Sequence, residues 1–168
     1  MQYSIIHAPV SKSTPNHMIL PAIVYKETVD VKSQFKQAGW KILFESSVFD
    51  YHHYHPNTHE AIGVLSGEAT LMIGGESGQK QKITQGQVLL LPAGYGHRLL
   101  ESTKDFKVAL SYPEQVDVKI ETSINDLSKV NSEINSVPLP KTDPVYNTQG
   151  PMFKEWHNLY HCNTVQGG

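Results

Sequence analysis

Four of the nine histidines of this 168-residue chain fall within residues 52–59, inside the run DYHHYHPNTHEAIGVLSG at 50–67. His53 and His55 stand two apart, so on an extended strand both side chains point to one face. Glu60 opens the next apolar stretch, with Ile62 and Val64 on its own face. Imidazole and carboxylate are fitting ligands for zinc, iron, manganese or nickel. A further histidine comes from far along the chain, in GQVLLLPAGYGHRLL at 86–100. There Gly86 permits a tight turn, Pro92-Ala93-Gly94 reverses the chain, and Gly96 lets backbones approach closely just before His97. These residues predict a site for one divalent metal ion per chain, held by His53, His55, Glu60 and His97. A metal-free network of buried hydrogen bonds is the alternative. Burying such groups without full partners is costly, which favours the ion.

The same parity rule sorts the neighbours. His52 has the opposite parity to His53 and is expected to face outward. Tyr51 shares the parity of His53 and is expected to line a pocket; Tyr54 does not. His59 would replace Glu60 as ligand if the 56–59 loop bulges; otherwise it lies behind the ligands or at the surface. From His97, Leu99 and Glu101 share one face, and Arg98 is expected outside in a salt bridge. Leu99, Ile62, Val64 and Leu90 would form an apolar lining that excludes water and suits a small organic molecule. Tyr95, in its glycine turn, would cover the pocket or stand exposed at the turn. Glu60 and Glu101 are the acid–base candidates, Glu101 being also readable as an ordinary strand-end glutamate. His157 and His161, four apart, are read as a coincidence near the terminus, and Cys162 as a bystander. GGESG at 74–78 lacks the phosphate-loop pattern and reads as a hairpin turn. No G-x-S-x-G elbow is present, so covalent nucleophilic catalysis is not expected.

The elements that would position these residues are short and mostly extended. Stretches at 3–6, 19–25, 40–44, 49–55, 60–65, 68–73, 80–83, 88–91, 97–101 and 106–112 read as strands, separated by Gly/Pro turns. Phe106, Val108, Leu110 and Tyr112 alternate strictly with polar or small residues, the mark of a strand with one buried face. Residues 31–38 predict a short helix ended by Gly39, and 122–133 a second one. This rhythm indicates an all-β antiparallel sandwich or barrel with short peripheral helices. Residues 1–168 are read as a single domain, with a metal-binding core near 40–113. The extension 114–168 is expected to pack on it as an extended tail anchored by Pro151, Met152, Phe153 and Trp156.

The two histidine-bearing segments resemble the paired motifs of the cupin superfamily. In the first, His53, His55, Glu60 and Gly67 match at the family spacing, while Ser47 stands where the leading glycine is usual. In the second, Gly86, Pro92, Gly94 and His97 all match, and Glu101 replaces a frequent asparagine. More narrowly, FDYHHYHPNTHEAIGVLSG, LMIGGESG, LPAGYGH, DFKVALSYP and VPLPKTDPVYNTQGP are similar to the YjlB-like cupins. The resemblance implies a jelly-roll β-barrel with an internal divalent metal. It implies no particular reaction.

Composition narrows the function classes. Net charge is −2, from 14 basic and 16 acidic residues, with no basic stripe to attract nucleic acid. No apolar run approaches membrane-spanning length, and the first residues lack the pattern of a secretory signal. The one cysteine points to a reducing compartment, hence an expected cytoplasmic location. A homodimer is expected, paired through the apolar segment Ile19 to Val24. Three functions fit: an Fe(II)-dependent dioxygenase of a small organic substrate, a Lewis-acid isomerase, epimerase or decarboxylase using Mn, Ni or Zn, and a metal-stabilised binding or regulatory protein without turnover.

Overall fold

The structure is a computed structural model and describes residues 1–158. Nine strands run in chain order: β1 (Tyr3–Ile6), β2 (Ala22–Tyr25), β3 (Lys41–Ser46), β4 (Glu60–Ser66), β5 (Glu68–Ile73), β6 (Gln79–Thr84), β7 (Val88–Leu91), β8 (His97–Ser102) and β9 (Lys107–Tyr112). They form a six-stranded antiparallel sheet in the order β1-β2-β7-β4-β9-β3, faced by a three-stranded sheet β6-β5-β8. This is the jelly-roll arrangement. Among the described residues two short α-helices, α1 (Val31–Gln37) and α2 (Leu127–Asn135), lie at the periphery. Each starts on an aspartate, Asp30 or Asp126, whose carboxylate accepts a backbone N–H of the first turn.

The two sheets bury different patterns. In β5, Ala69, Leu71 and Ile73 alternate with more exposed residues, as a strand with one core face must. The strands β2 and β7 read AIVY and VLLL and are buried throughout, because the six-stranded sheet is covered on both faces. Its inner face contributes Val24, Ile62, Leu89 and Val108 to the core between the sheets. Its outer face, with Ile23, Ala61, Leu90 and Ala109, is covered by Val31 and Phe35 of α1, by Trp40, and by Val145, Met152 and Trp156 of the late segment. That segment is not extended at its end: Phe153–His157 forms a π-helical turn. Its aromatic spacing follows no strand or helix period, so the turn was not legible in the sequence. His161 and Cys162 lie outside the described residues.

Residues 49–55 depart from the sequence-based expectation. They form no regular strand. His53 makes a single antiparallel bridge to His97, and Tyr54 one to Glu121. His53 N–H donates to the His97 carbonyl at 3.3 Å and His97 N–H to the His53 carbonyl at 3.0 Å. The bridge continues the small sheet by one pair beyond β8, at the end of the barrel where the site lies.

Candidate metal centre

His53 and His55 come from the irregular segment before β4, Glu60 is the first residue of β4, and His97 is the first of β8. His53, His55 and His97 are all buried and each offers a ring nitrogen within 4.8 Å of the others. Ring centroids are 4.0 Å apart for His53–His97, 5.1 Å for His55–His97 and 5.5 Å for His53–His55. The Glu60 carboxylate, 2 % exposed, stands against two of them: Oε2 is 3.3 Å from His55 Nε2, and Oε1 is 3.3 Å from His97 Nε2. It stands outside the compact group that the three histidines make.

The other nitrogen of each ring is already engaged. His53 Nδ1 bonds the Tyr51 carbonyl at 3.0 Å, His55 Nδ1 the Lys119 carbonyl at 2.8 Å, and His97 Nδ1 the Tyr95 carbonyl at 3.0 Å. A carbonyl only accepts, so Nδ1 must carry the proton in all three. A neutral ring then presents the lone pair of Nε2. Burial, with His97 close by, pulls His53 down to about 3, so its ring is neutral at ordinary pH. Burial alone would lower His55 too, but the Glu60 carboxylate and the Lys119 carbonyl outweigh it and raise its pKa. Burial would raise Glu60, yet His55 and then His97 hold its carboxyl well below the usual carboxylate range.

This donor set fits a metal ion. Glu60 Oε1 is buried and has no hydrogen-bond partner, although His97 Nε2 is only 3.3 Å away. The short approach is a contact of two electron pairs unless the ring is protonated. A cation among the three Nε2 atoms would turn that conflict into attraction, with the backbone carbonyls fixing tautomer and orientation from behind.

Two glycines shape the turn that delivers His97. Gly94 has φ +89°, and a Cβ there would lie 2.5 Å from Ile134 Cδ1. A Cβ at Gly96 would lie 2.5 Å from Thr14 Cγ2. Both open the turn to the close packing of other segments. Asn16, 1 % exposed, ties it down: its Oδ1 accepts Gly96 N–H at 2.9 Å, and its own N–H donates to the Gly94 carbonyl at 2.9 Å.

Above the cluster opens a cavity of about 330 Å³. Its walls include Ile62, Leu110, Tyr112, Val118 and Ile120, and its mouth Phe44, Ser46, Ser47, Val48 and Phe49. Tyr112 was not among the sequence-predicted site residues. Its hydroxyl donates to Glu60 Oε2 at 2.6 Å. Burial, then the Glu60 charge, pushes its phenol far up, so it stays a donor. The signal was present: Tyr112 ends the alternating face of β9, and the Ala61–Ser111 pair sets it beside Glu60 one step on. Residues 118–120, which close one wall and orient His55 through Lys119, carried no such signal.

Several expected lining residues lie elsewhere. Leu90 points to the outer face of the six-stranded sheet, among Ile23, Ala61 and Trp156. A continuous apolar run carries no parity, so VLLL could not tell inside from outside. Val64 and Leu99 belong to the core between the sheets, deeper than the cavity. Tyr51 is 43 % exposed at the rim, where it stacks on Phe49. Tyr95 does not cover the cavity. It is buried among core residues, donating to the Ile6 carbonyl and accepting Ala8 N–H, both at 3.2 Å.

His59 is wholly buried and away from the cluster. Its Nδ1 accepts Ala93 N–H at 2.9 Å and its Nε2 donates to the Pro138 carbonyl at 3.1 Å, with Trp156 alongside. Glu101 is exposed and pairs with Thr70 on the outer face. A register shift between Thr70 and Leu71 inserts Leu100 as an extra residue, which reverses the parity counted from His97. Glu101 therefore has no access to the cavity. Arg98 pairs with Met72 on the outer face, and no ion pair to it is found among the described residues.

The family described as "Cupin domain" matches residues 45–112, which span the four candidate ligands. The chain is 35 % identical over 147 residues to the protein named "Uncharacterized protein YjlB" of Bacillus subtilis (strain 168), covering 84 % of this chain and 89 % of that one. Among solved structures, a DUF861-family protein of Thermotoga maritima is similar at 22 % identity and a TM-score of 0.37, covering 53 % of this chain and 96 % of its own. The dTDP-6-deoxy-D-glucose-3,5-epimerase RmlC of Legionella pneumophila is similar at 15 % identity and a TM-score of 0.36, covering 78 % and 82 %.

Proposed function

The chain belongs to the cupin superfamily, among the YjlB-like bacterial cupins, and from that premise we propose that it is a mononuclear metal enzyme, an Fe(II)-dependent dioxygenase of a small organic substrate. One observation carries the reading. Three imidazoles, each with Nδ1 engaged by a backbone carbonyl, converge their Nε2 atoms beside an unpartnered carboxylate oxygen on the floor of an open cavity.

In this reading His53, His55, His97 and Glu60 hold the ion. A bound ferrous ion supplies a means of bringing dioxygen and an organic molecule together for electron transfer. The protein's own part is to bind, orient and exclude water. Ile62, Leu110 and Val118 make a dry wall, and Tyr112 keeps the Glu60 carboxylate in one orientation through Oε2. In a dioxygenation both oxygen atoms enter the product and the substrate supplies the electrons, so no separate reductant is required. Beyond the ligand set, the described lining holds no second carboxylate, lysine or arginine. The remaining ionisable side chain there, Tyr112, already gives its proton to Glu60, which leaves an isomerase or decarboxylase no free proton carrier among the described lining residues and weighs toward oxygenation.

Metal content after anaerobic purification without chelator tests this. Near-stoichiometric iron by elemental mass spectrometry, followed by oxygen uptake with a small hydroxylated aromatic compound, is the expected result. Zinc, nickel or manganese in place of iron would move the assignment to Lewis-acid chemistry. Stoichiometric iron without oxygen uptake across such compounds would favour a binding or regulatory role.

A further inference from the structure

We infer that the cavity above the metal centre takes a planar aromatic molecule bearing a hydroxyl group, and turns away phosphates. The inference rests on the reading of the cluster as a metal centre and adds the class of molecule that reaches it.

The polarity of the cavity carries the first half. Its floor is the cluster itself, three imidazoles whose lone pairs are turned to the ion's place and the Glu60 carboxylate beside them. The one proton of the Tyr112 hydroxyl is given to Glu60, leaving only oxygen lone pairs toward the cavity. The Ser46 hydroxyl donates to the Ser47 carbonyl at 3.0 Å. No lysine or arginine is among the described lining residues. A phosphate dianion would leave water for a wall with no fixed side-chain cation, a transfer that costs strongly unless the charge is paired. A divalent ion beside Glu60 leaves one net positive charge, which a single ionised hydroxyl balances and a phosphate dianion exceeds.

The mouth carries the second half. Phe44, Phe49 and Tyr51 are 50 %, 45 % and 43 % exposed although they are large apolar or aromatic side chains. Phe49 and Tyr51 stack with centroids 5.0 Å apart at 14°, and Phe49 also meets His53 edge-on at 5.1 Å. Exposed apolar groups gathered at a cavity mouth mark a binding surface. Flat faces there favour a flat ligand by stacking. The cavity volume of about 330 Å³ admits a molecule of one or two rings.

Zinc-loaded protein, which is redox-inert, allows the test by isothermal titration calorimetry with naphthol and naphthyl phosphate as matched probes. Naphthol should bind at least about tenfold more tightly than naphthyl phosphate, a difference of about 1.4 kcal/mol. Phe49→Ser should weaken naphthol by about tenfold, the scale of a lost aromatic contact, with zinc content unchanged. Ser47→Lys, at an exposed position on the mouth, should raise the affinity for naphthyl phosphate. Equal or tighter binding of naphthyl phosphate to the unaltered protein would overturn the inference, as would the absence of naphthol binding. Failure of the metal reading shows separately, as no zinc uptake in a titration without probe. In that metal-free protein the preference for naphthol should persist, because the walls and mouth are unchanged.

Discussion

At the residue scale, the site is decided by which nitrogen each histidine has free. The bridge to His97 and the carbonyls of Tyr51, Lys119 and Tyr95 leave each Nε2 facing the others. His97→Ala is expected to lose most of the bound metal, whereas His52→Ala should leave it nearly intact, since His52 lies outside the cluster. Elemental analysis of the two variants checks both, and retention of full metal by His97→Ala would remove that histidine from the ligand set. Tyr112→Phe deletes one hydroxyl and frees the Glu60 carboxylate to rotate. Loss of a group that orients a ligand typically lowers metal affinity by about 10–100-fold. The d–d spectrum of the cobalt-loaded variant should change as well, which a purely structural role for the hydroxyl would not cause. Parity put His53 and His55 on one face, and Glu60 was marked as the start of the next strand. Tyr112 needed the β4–β9 register, a long-range fact.

At the scale of elements, short-range parity fails wherever the ladder is irregular or both faces are buried. Glu101 illustrates the first case, through the extra residue at Leu100, and Leu90 the second, through the covered sheet. Asn16 illustrates a third, where one loop holds another. Its φ is +54°, and its Nδ2 donates to the Gly74 carbonyl at 3.0 Å while its Oδ1 receives Gly96 N–H. Asn16→Ala leaves these buried backbone groups without partners, at about 1–3 kcal/mol for each. Urea unfolding should show that loss. Zinc affinity should fall too, because the turn before His97 is no longer held. An unchanged midpoint would show that water replaces the amide at no cost.

At the scale of the molecule, the late segment is part of the same packed structure as the barrel. Trp156 donates to the Pro21 carbonyl at 2.8 Å and packs on His59, which in turn holds Ala93 in the turn before His97. Asp143, wholly buried, accepts the Tyr25 hydroxyl at 2.8 Å and backbone N–H groups of Val145, Tyr146 and Met152. Stability should depend on pH through His17. Burial pulls that ring down to about 4 from its ordinary 6.5, and its Nδ1 accepts Ile19 and Leu20 N–H at 3.1 and 3.0 Å. The unfolded chain therefore binds the extra proton first as pH falls. Its contribution is complete above pH 6.5 and is lost as pH drops through about 4. Each unit of depression corresponds to about 1.4 kcal/mol. Denaturant midpoints across that window should slope accordingly, and His17→Gln, which cannot titrate, should reduce the slope by about one proton.

The sequence by itself determined the all-β antiparallel class, the short strands and the candidate histidine cluster, because turn glycines, alternation and His-x-His spacing are local properties of the chain, while the jelly-roll followed from the resemblance of its two motifs to the cupins. It also marked Glu60, whose place beside His55 and His97 follows from where β4 begins. Only the tertiary structure decided what lines the cavity, that Tyr112 holds Glu60, that Glu101 faces solvent, and that His59 serves packing. Those outcomes depend on register, on one inserted residue in β8 and on a segment returning across the sheet from more than seventy residues away, as His59 and Pro138 do at |i−j| = 79. Such contacts arise from packing between distant parts of the chain, and a period of two or 3.6 residues cannot encode them.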